Sequence, residues 1–435
     1  MDDREWVFVI LASIGDRLIK IIMGRILIHS LVFSPDGVST AYLYNDIALR
    51  FKQRGYEVVV LTTTPHFNIV PEQVDKQPLR WKVFGFCKVS DYKGMTVLHI
   101  PQKKFKNTWL RLAGFVYWHI VSLFVGMTLR HIDLILSPSP PLTIGWLNLV
   151  LAKIKGCKVV YNVQEIYPDI LKLKGGITLR FLKWMEKKVY NESDAVTTID
   201  KVFYDTIVPR FKKQSTLKII PNFVDTDLYH AVEWEGKLNA KLFPRTDAIK
   251  LLYAGNIGHA QSWEPLIELA ERTRDRNVEY FVIGEGAKRY YVEEEIKKRD
   301  LEKLHLLPYQ PRELMSSILS YSDASFIFMS PEMDSDGFPS KVYTIMACER
   351  PLLVLSGENT PIVKFLDGKG CAKLITEKVF DKKVEMMVEW IKSVNRDELI
   401  LMGKNGWAEI QANYTKEKVT DMYVDLVDAL LGRSK

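Results

Sequence analysis

The sequence predicts an α/β protein of two Rossmann-like, doubly wound domains facing each other across a cleft. Three observations carry this. Short runs rich in Val, Ile and Leu alternate with amphipathic helical patterns, as expected for parallel strands covered on both faces. The alternation occurs in two series separated by a break. The chain has 435 residues, more than one ordinary core needs.

The first series is expected at Arg25–Phe33, Glu57–Thr63, Asp133–Ser137, Lys158–Val163 and Ala195–Ile199. The second is expected at Lys250–Ala254, Glu279–Ile283, Leu304–Leu307, Ala324–Phe328 and Leu352–Leu355. Helical periodicity fills the gaps; Leu43, Ile47, Ala48 and Phe51 share one face, and Gly55 follows as a stop. The break lies within Pro221–Thr246, where Pro, Asn and Asp interrupt the periodicity. This gives a first domain over residues 23–220, with a final helix over 415–435 packing back on it, and a second domain over 221–414. Residues 1–22 precede Met23 and a natural first strand. Their apolar run, Trp6–Ile14, is too short to span a bilayer and follows acids rather than bases. They read as an upstream extension, with a short anchoring helix as the alternative.

Composition excludes wholesale disorder: 47% of residues are hydrophobic and 26% charged. The net charge of +7 is concentrated. Between Arg80 and Arg130 stand nine Lys/Arg, including Lys103, Lys104, Lys106 and Arg111, against one acid, Asp91. The stretch Trp109–Leu129 beside them is apolar and aromatic. It reads as an amphipathic helix docking on an anionic membrane, or as a buried helix of the first sheet; Arg111 and His119 argue against a full span. Bases beside an apolar helix do not form a nucleic-acid surface. Of the four cysteines, none lie at metal-ligand spacing, and Cys157 and Cys348 read as buried thiols in a reducing cytoplasm. No metal site and no cofactor are expected.

In open α/β sheets ligands bind beyond the carboxyl ends of strands, so the segments after strands are the candidate site. After the first strand comes Ser34-Pro35-Asp36-Gly37-Val38-Ser39-Thr40, a glycine turn opening a helix. It offers backbone N–H groups to a phosphate or sugar hydroxyl, or is an ordinary turn capped by Ser39 or Thr40. After the fourth comes Gln164-Glu165-Ile166-Tyr167-Pro168-Asp169. Its two carboxylates could orient hydroxyls or take a proton, or simply face solvent. The second domain opens on Tyr253-Ala254-Gly255-Asn256-Ile257-Gly258-His259-Ala260-Gln261, where glycines permit close approach and Asn256 and Gln261 are neutral donors. Gly284-Glu285-Gly286 ends another strand. The segment carrying most weight runs from Asp334 through Asp336, Gly337, Phe338, Pro339, Ser340 and Lys341 to Thr344. Ser340 would cap a helix whose first N–H groups take a diphosphate, with Lys341 adding a point charge.

Together these segments resemble the family 4 glycosyltransferases of the GT-B fold, over nearly the whole chain from Gly24. Within the family they are similar to the fucosyl- and N-acetylfucosaminyltransferases of bacterial surface polysaccharides. The resemblance rests on Phe33–Gly37, Thr64-Pro65-His66-Phe67-Asn68, Glu165–Asp169, Ile220-Pro221-Asn222-Phe223-Val224-Asp225, Tyr253–Gly258 and Pro339–Tyr343. It implies a retaining transferase. The donor is a nucleotide sugar, UDP- or GDP-linked. The acceptor is an oligosaccharide or is carried on a polyprenyl diphosphate, at the cytoplasmic face of the cell membrane. It further implies donor contacts at Gly37, Asn222, Gly255, Asn256, Gly258, Gln261, Gly284, Glu285, Tyr309, Gly337, Phe338, Pro339, Ser340 and Thr344. Ser39, His66, Tyr167 and Asp169 fall on the acceptor side, and Glu165, Asp336 and Lys341 in the chemistry. Two departures stand out. Asn256 and Gln261 occupy places where many relatives carry Arg and Lys. Asp336 and Thr344 replace a pair of glutamates eight positions apart. A nucleotide-sugar epimerase and a catalytically silent partner subunit are the competing readings.

Overall fold

In the computed structural model, residues 24–67, 69, 71–82, 85–103, 107–331 and 338–433 are described. Residues 1–22, Lys104, Lys106, Asn68, Asp334, Asp336 and Gly337 lie outside them, and with them the expectations made there. The chain divides into two compact units, residues 1–222 with 417–435, and residues 223–416. Asn222, expected at the start of the second domain, thus closes the first unit.

The first unit holds a nine-stranded sheet. Its strands are β1 (Arg25–His29), β2 (Glu57–Thr63), β3 (Arg80–Lys82), β4 (Cys87–Tyr92), β5 (Met95–Ile100), β6 (Leu134–Pro138), β7 (Lys158–Val163), β8 (Ala195–Thr198) and β9 (Leu217–Ile219). Their order is β3-β4-β5-β2-β1-β6-β7-β8-β9. All neighbours are parallel except β3–β4 and β4–β5. Sequence periodicity missed β3, β4, β5 and β9. The β4–β5 hairpin had a local signature: Lys93 (φ 50°) and Gly94 (φ 76°) form a two-residue turn of positive φ, closed by the Gly94 N–H on Asp91 Oδ1 at 2.8 Å. The first strand ends at His29, short of the expected Phe33, because the chain turns at Ser30, whose hydroxyl bonds the carbonyl of Val32 at 2.8 Å.

The second unit holds six parallel strands: β10 (Ile249–Ala254), β11 (Val278–Ile283), β12 (Leu304–Leu307), β13 (Ala324–Phe328), β14 (Leu352–Leu355) and β15 (Ala372–Ile375). Their order, β12-β11-β10-β13-β14-β15, reverses direction between β10 and β13. That reversal is the topological switch point where such sheets open a crevice. In the first unit the switch point lies between β1 and β6.

The apolar periodicity becomes core. In the first unit Leu27, Val59, Leu98, Ile135, Tyr161 and Val196 pack with Trp118 and Val125 of helix Thr108–Thr128. In the second, β10, β11 and β13 pack on Leu266, Leu269, Met387 and Trp390. The described cysteines are free; Cys348 is buried as expected, while Cys157 is only half-buried at the end of a helix.

Helix Lys416–Leu430 packs on the first unit. Asp421 accepts from Arg50 at 2.5 Å and from Arg54 at 2.8 Å, and Arg50 above all holds its carboxyl below the ordinary value. A depressed carboxylate stabilises the fold above its unfolded pKa, and that stability is lost as pH falls through the folded value. Asp421→Ala should therefore cost about 1–2 kcal/mol at neutral pH. Denaturation curves of variant and parent should converge as pH drops below about 4, the ordinary aspartate value; an unchanged gap in acid would contradict the assignment.

Candidate functional site

The switch point of the second unit brings three segments together. Tyr253, the penultimate residue of β10, is buried, and its hydroxyl donates to the Asn256 carbonyl at 2.7 Å, folding the 255–258 loop over the strand end. Gly284 follows β11. A Cβ there would lie 1.9 Å from the Gly255 carbonyl oxygen, so the two loops touch backbone to backbone. Gly286 would similarly strike the Ile257 carbonyl, at 2.4 Å. These glycines are required by close approach as well as by positive φ.

Lys341 reaches this crossing from the third segment. Its ammonium sits 3.8 Å from the centroid of the Tyr253 ring and 2.6 Å from where a Gly255 Cβ would be. No carboxylate pairs with it among the described residues. Desolvation pushes its pKa down to about 7, although the residue keeps some accessible surface. The face of the tyrosine ring offers only part of the charge compensation an enclosed ammonium needs. An anion entering here would supply the rest.

Other expectations at this site are corrected. Ser340 does not cap the helix: it has helical dihedrals and no capping side-chain bond, and the helix runs only Lys341–Ala347. The Val342 and Tyr343 N–H groups are already bound to the Pro339 and Ser340 carbonyls at 3.0 and 3.2 Å. The charge, not the helix start, is what this segment presents. Gln261 is not an available donor. Its oxygen accepts the Phe328 N–H at 3.2 Å and its nitrogen bonds the Ala260 carbonyl, stitching the loop to the end of β13. Gly258 spends its carbonyl on Trp263 Nε1. Phe338 is an anchor, packed 4.8 Å from Phe365 and 5.1 Å from Tyr343. Asn256, Glu285 and Tyr309 are exposed at strand ends, and Thr344 is half-buried one turn beyond Lys341. Arg289, overlooked in the sequence, donates to the Gly284 and Leu307 carbonyls at 2.6 and 2.9 Å and fixes the ends of β11 and β12. Its signal was its place four residues past Glu285, to which it also lies at 3.6 Å.

In the first unit the Gly37 turn sits at the switch point. Asp36, which sequence reasoning passed over, organises it. Buried to 1% exposure, its Oδ1 accepts the His66 and Phe67 N–H groups at 2.9 and 2.8 Å. Its Oδ2 has no partner among the described residues, and burial raises its pKa against those amide bonds. The Gly37 N–H is not free, since it donates to the Phe67 carbonyl at 3.1 Å. Val38, with no capping side chain, precedes the helix, so Ser39 is its first residue and not its cap. The His66 ring is held by the Thr64 carbonyl at 2.8 Å.

At the end of β7, Asn162 within the strand and Gln164 just past it start a polar network. Asn162 bonds Tyr44, Thr197 and Tyr423 at 2.6, 2.8 and 3.0 Å. Gln164 bonds Asn162 at 2.8 Å and exchanges two bonds with Asn222 at 3.1 and 3.0 Å. Asn222 is thus committed to the first unit's own framework. Glu165 follows at half exposure, its backbone N–H and that of Gln164 gathered by Ser139 Oγ at 3.4 and 3.0 Å. Tyr167 has its phenol pKa raised, by burial and then by the Glu165 charge. Asp169 is not a free acid. It takes Arg210 Nη2 at 2.5 Å, while Arg210 also binds Glu186, whose pKa burial lifts to about 7. The ion pair makes Asp169 a clamp on the Glu165 loop. Among the described residues no cluster of His, Cys, Asp and Glu is arranged to hold a metal.

Comparison with known proteins places both halves. Residues 41–228 match the family model described as Glycosyltransferase Family 4, and residues 236–398 the model described as Glycosyl transferases group 1. The putative colanic acid biosynthesis glycosyl transferase WcaI of Escherichia coli (strain K12) is 23% identical over 343 residues, covering 74% of this chain and 81% of that protein. The sucrose-phosphate synthase (tll1590) structure from Thermosynechococcus elongatus superposes with a TM-score of 0.71 at 13% identity, covering 94% of this chain and 100% of that one. Anabaena Alr3699/HepE, solved in complex with UDP and glucose, gives 0.67 at 13% identity over 93% of this chain and 100% of that one.

Gly284→Ala tests the loop crossing. It should destabilise the protein by at least about 2 kcal/mol, through both the positive φ and the collision with Gly255. A melting curve unchanged from the parent would show that the loops do not touch.

Proposed function

Because the chain is a glycosyltransferase of GT-B fold, its first unit matching a family 4 domain and its second a group 1 domain, we propose that it is a retaining enzyme. It moves a sugar from a UDP- or GDP-linked donor to a lipid-linked or oligosaccharide acceptor in cell-surface polysaccharide synthesis. The observation that carries the reading is Lys341: a desolvated ammonium without a paired carboxylate among the described residues, at the switch point of the second unit. Likeness to WcaI supports the polysaccharide setting, and likeness to a fold that holds UDP in HepE supports the donor class. A fucosyl or N-acetylfucosaminyl donor is the finer expectation.

In this reading the donor's diphosphate lies against Lys341 and the Gly255 loop. As the bond from the anomeric carbon to the diphosphate oxygen breaks, charge grows on that oxygen and the ammonium stabilises it. Electrostatic stabilisation aimed at the leaving group acts where charge develops. The acceptor hydroxyl forms the new bond and gives its proton to the leaving phosphate oxygen, with Glu165 on the acceptor side. Asp336 would hold sugar hydroxyls. The network of Asn162, Gln164 and Asn222 positions the Glu165 loop, and Asp169 clamps it through Arg210. Helix Thr108–Thr128, which contains no acid, would hold the enzyme against the anionic inner face of the membrane.

The competing reading of a catalytically silent partner draws on Gln261, whose amide is spent on the strand end. Calorimetry with UDP- and GDP-sugars separates the two: absence of binding to all of them would favour the silent subunit. Interconversion of donor sugar with no acceptor present would instead reveal an epimerase.

Two outcomes are expected at Lys341. Lys341→Ala should weaken donor affinity about 10–100-fold, the range for a charge-assisted contact of about 1.5–3 kcal/mol, and slow transfer; unchanged kinetics would remove it from the site. The free lysine titrates near 7, and a bound diphosphate raises that value. Affinity for UDP-glucose should then be flat below about pH 7. Above it, affinity should fall by up to about tenfold per unit until the bound-state value is passed. The Lys341→Ala protein should lack this slope.

A further inference from the structure

Sequence periodicity gives membrane contact to one stretch, Trp109–Leu129; the folded first unit sets that helix in a layer of three. Helix Leu142–Lys155 packs between Thr108–Thr128 and Ile177–Glu192. His119 Nε2 meets Thr143 Oγ1 at 2.8 Å, Leu151 fills the space beside Gly126, and Lys153 pairs with Glu192 at 2.9 Å. The inner faces are core: Trp118, Val125, Leu151 and Val189 are each 0% exposed. Helix Thr108–Thr128 is long and apolar enough to cross a membrane, but this packing ties one of its sides to the sheet. What it has left to offer is a surface, not a span.

The outer faces are apolar where a water-facing layer is polar. Ile120 is 65% exposed, Trp146 40%, Ile177 79%, Phe181 54% and Trp184 46%. Ile177, Phe181 and Trp184 recur at i, i+4 and i+7, so they share one side of their helix, with the Phe181 and Trp184 rings stacked at 5.6 Å. Arg180, Lys183 and Lys187, all exposed, fall together on the adjoining flank, and Lys188 lies over the Trp184 ring at 5.2 Å. Negative charge is absent or neutralised. The first two helices contain no Asp or Glu. The third has Glu186 and Glu192: Glu186 is bound to Arg210, and Glu192 to Lys153 and Lys188. Aromatic and aliphatic side chains projecting between cations, with no unpaired acid, complement a bilayer carrying anionic headgroups. A soluble protein partner of mixed charge would find no unpaired acid on these three helices to match its own cations.

We infer that this three-helix face seats the first unit on an anionic lipid surface. Ile177, Phe181 and Trp184 enter the acyl boundary, and Arg180, Lys183 and Lys187 meet lipid phosphates, as a second contact beside helix Thr108–Thr128. The inference rests on the reading of a membrane-borne acceptor and adds the face and the second helix.

The test is co-sedimentation of the full chain with vesicles of phosphatidylcholine alone and of phosphatidylcholine with phosphatidylglycerol, at low and high salt. Binding should require phosphatidylglycerol and weaken with salt. Arg180→Glu with Lys183→Glu should weaken it at least about tenfold, since each lost cation accounts for several-fold. Phe181→Ser with Trp184→Ser should weaken it on both sides of the salt range. Calorimetric binding of UDP-glucose is measured alongside on every variant and should not change, because these residues lie outside the donor site. Variants that sediment like the parent would overturn the second contact. A parent that binds UDP-glucose but no vesicle would overturn the docking face while leaving the transferase reading intact. A parent that is dimeric in solution, and made monomeric by Phe181→Ser with Trp184→Ser, would give the face to a second copy of the chain instead.

Discussion

An ammonium enclosed beside the face of Tyr253, without a carboxylate partner among the described residues, is the constraint around which the second unit's crevice is built. Burial opposes the charge of Lys341, and a tyrosine ring restores only part of what water would give. The structure around it keeps the charge in place by geometry. Tyr253 is fixed by its own hydroxyl bond to Asn256, and the 255–258 loop is pressed against the 284–286 loop with no room for a side chain. Arg289 then locks the strand ends behind them. Each element costs conformational freedom, and together they hold the Lys341 ammonium at the switch point.

The first unit solves a different problem with neutral and paired groups. Its strand ends carry an amide and hydroxyl network from Tyr44 through Asn162 and Gln164 to Asn222, closed on the far side by Tyr423 of the last helix. A buried network of this kind specifies position only when its members are satisfied. The groups recorded here satisfy one another, so the Glu165 loop leaves a fixed base. Asp36 does the same for the Gly37 turn, spending one oxygen on two backbone amides. The acid that looked free, Asp169, serves as an anchor, held by Arg210.

The strands legible in the sequence were those buried on both faces. Glu57–Thr63, Lys158–Val163, Ala324–Phe328 and Leu352–Leu355 appear at the residues expected, because a parallel strand covered by helices is apolar along most of its length. Leu304–Leu307 also appears as expected, an edge strand legible from its leucines. Most of the ones missed lie toward the edges, β15 of the second sheet among them; β5, inside the first sheet and mostly buried, is the exception. β3 is exposed throughout, β4 alternates Cys, Lys, Val, Ser, Asp and Tyr, and β9 has three residues. The same logic separates the residues at the strand ends. Gly255, Gly284 and Lys341 stand out in the sequence because a glycine or a charge past an apolar strand is conspicuous. Asp36 and Arg289 were passed over because their role is to bind backbone groups distant in sequence.

What the sequence by itself determined is the alternation that makes two doubly wound sheets and the strand ends at which ligands gather, since both follow from local periodicity and composition. Only the tertiary structure decided which polar groups remain available there. Gln261, Gly37 and Asp169 carry the right chemistry, yet each is bound to a partner distant in sequence, and Ser340 does not cap its helix. It also decided that the apolar helix of the first unit shares its outer face with two others. The physical reason is the same in both cases. A hydrogen-bonding group or an apolar side chain has a limited number of neighbours to satisfy it, and which neighbours those are is fixed by packing between segments far apart in the chain.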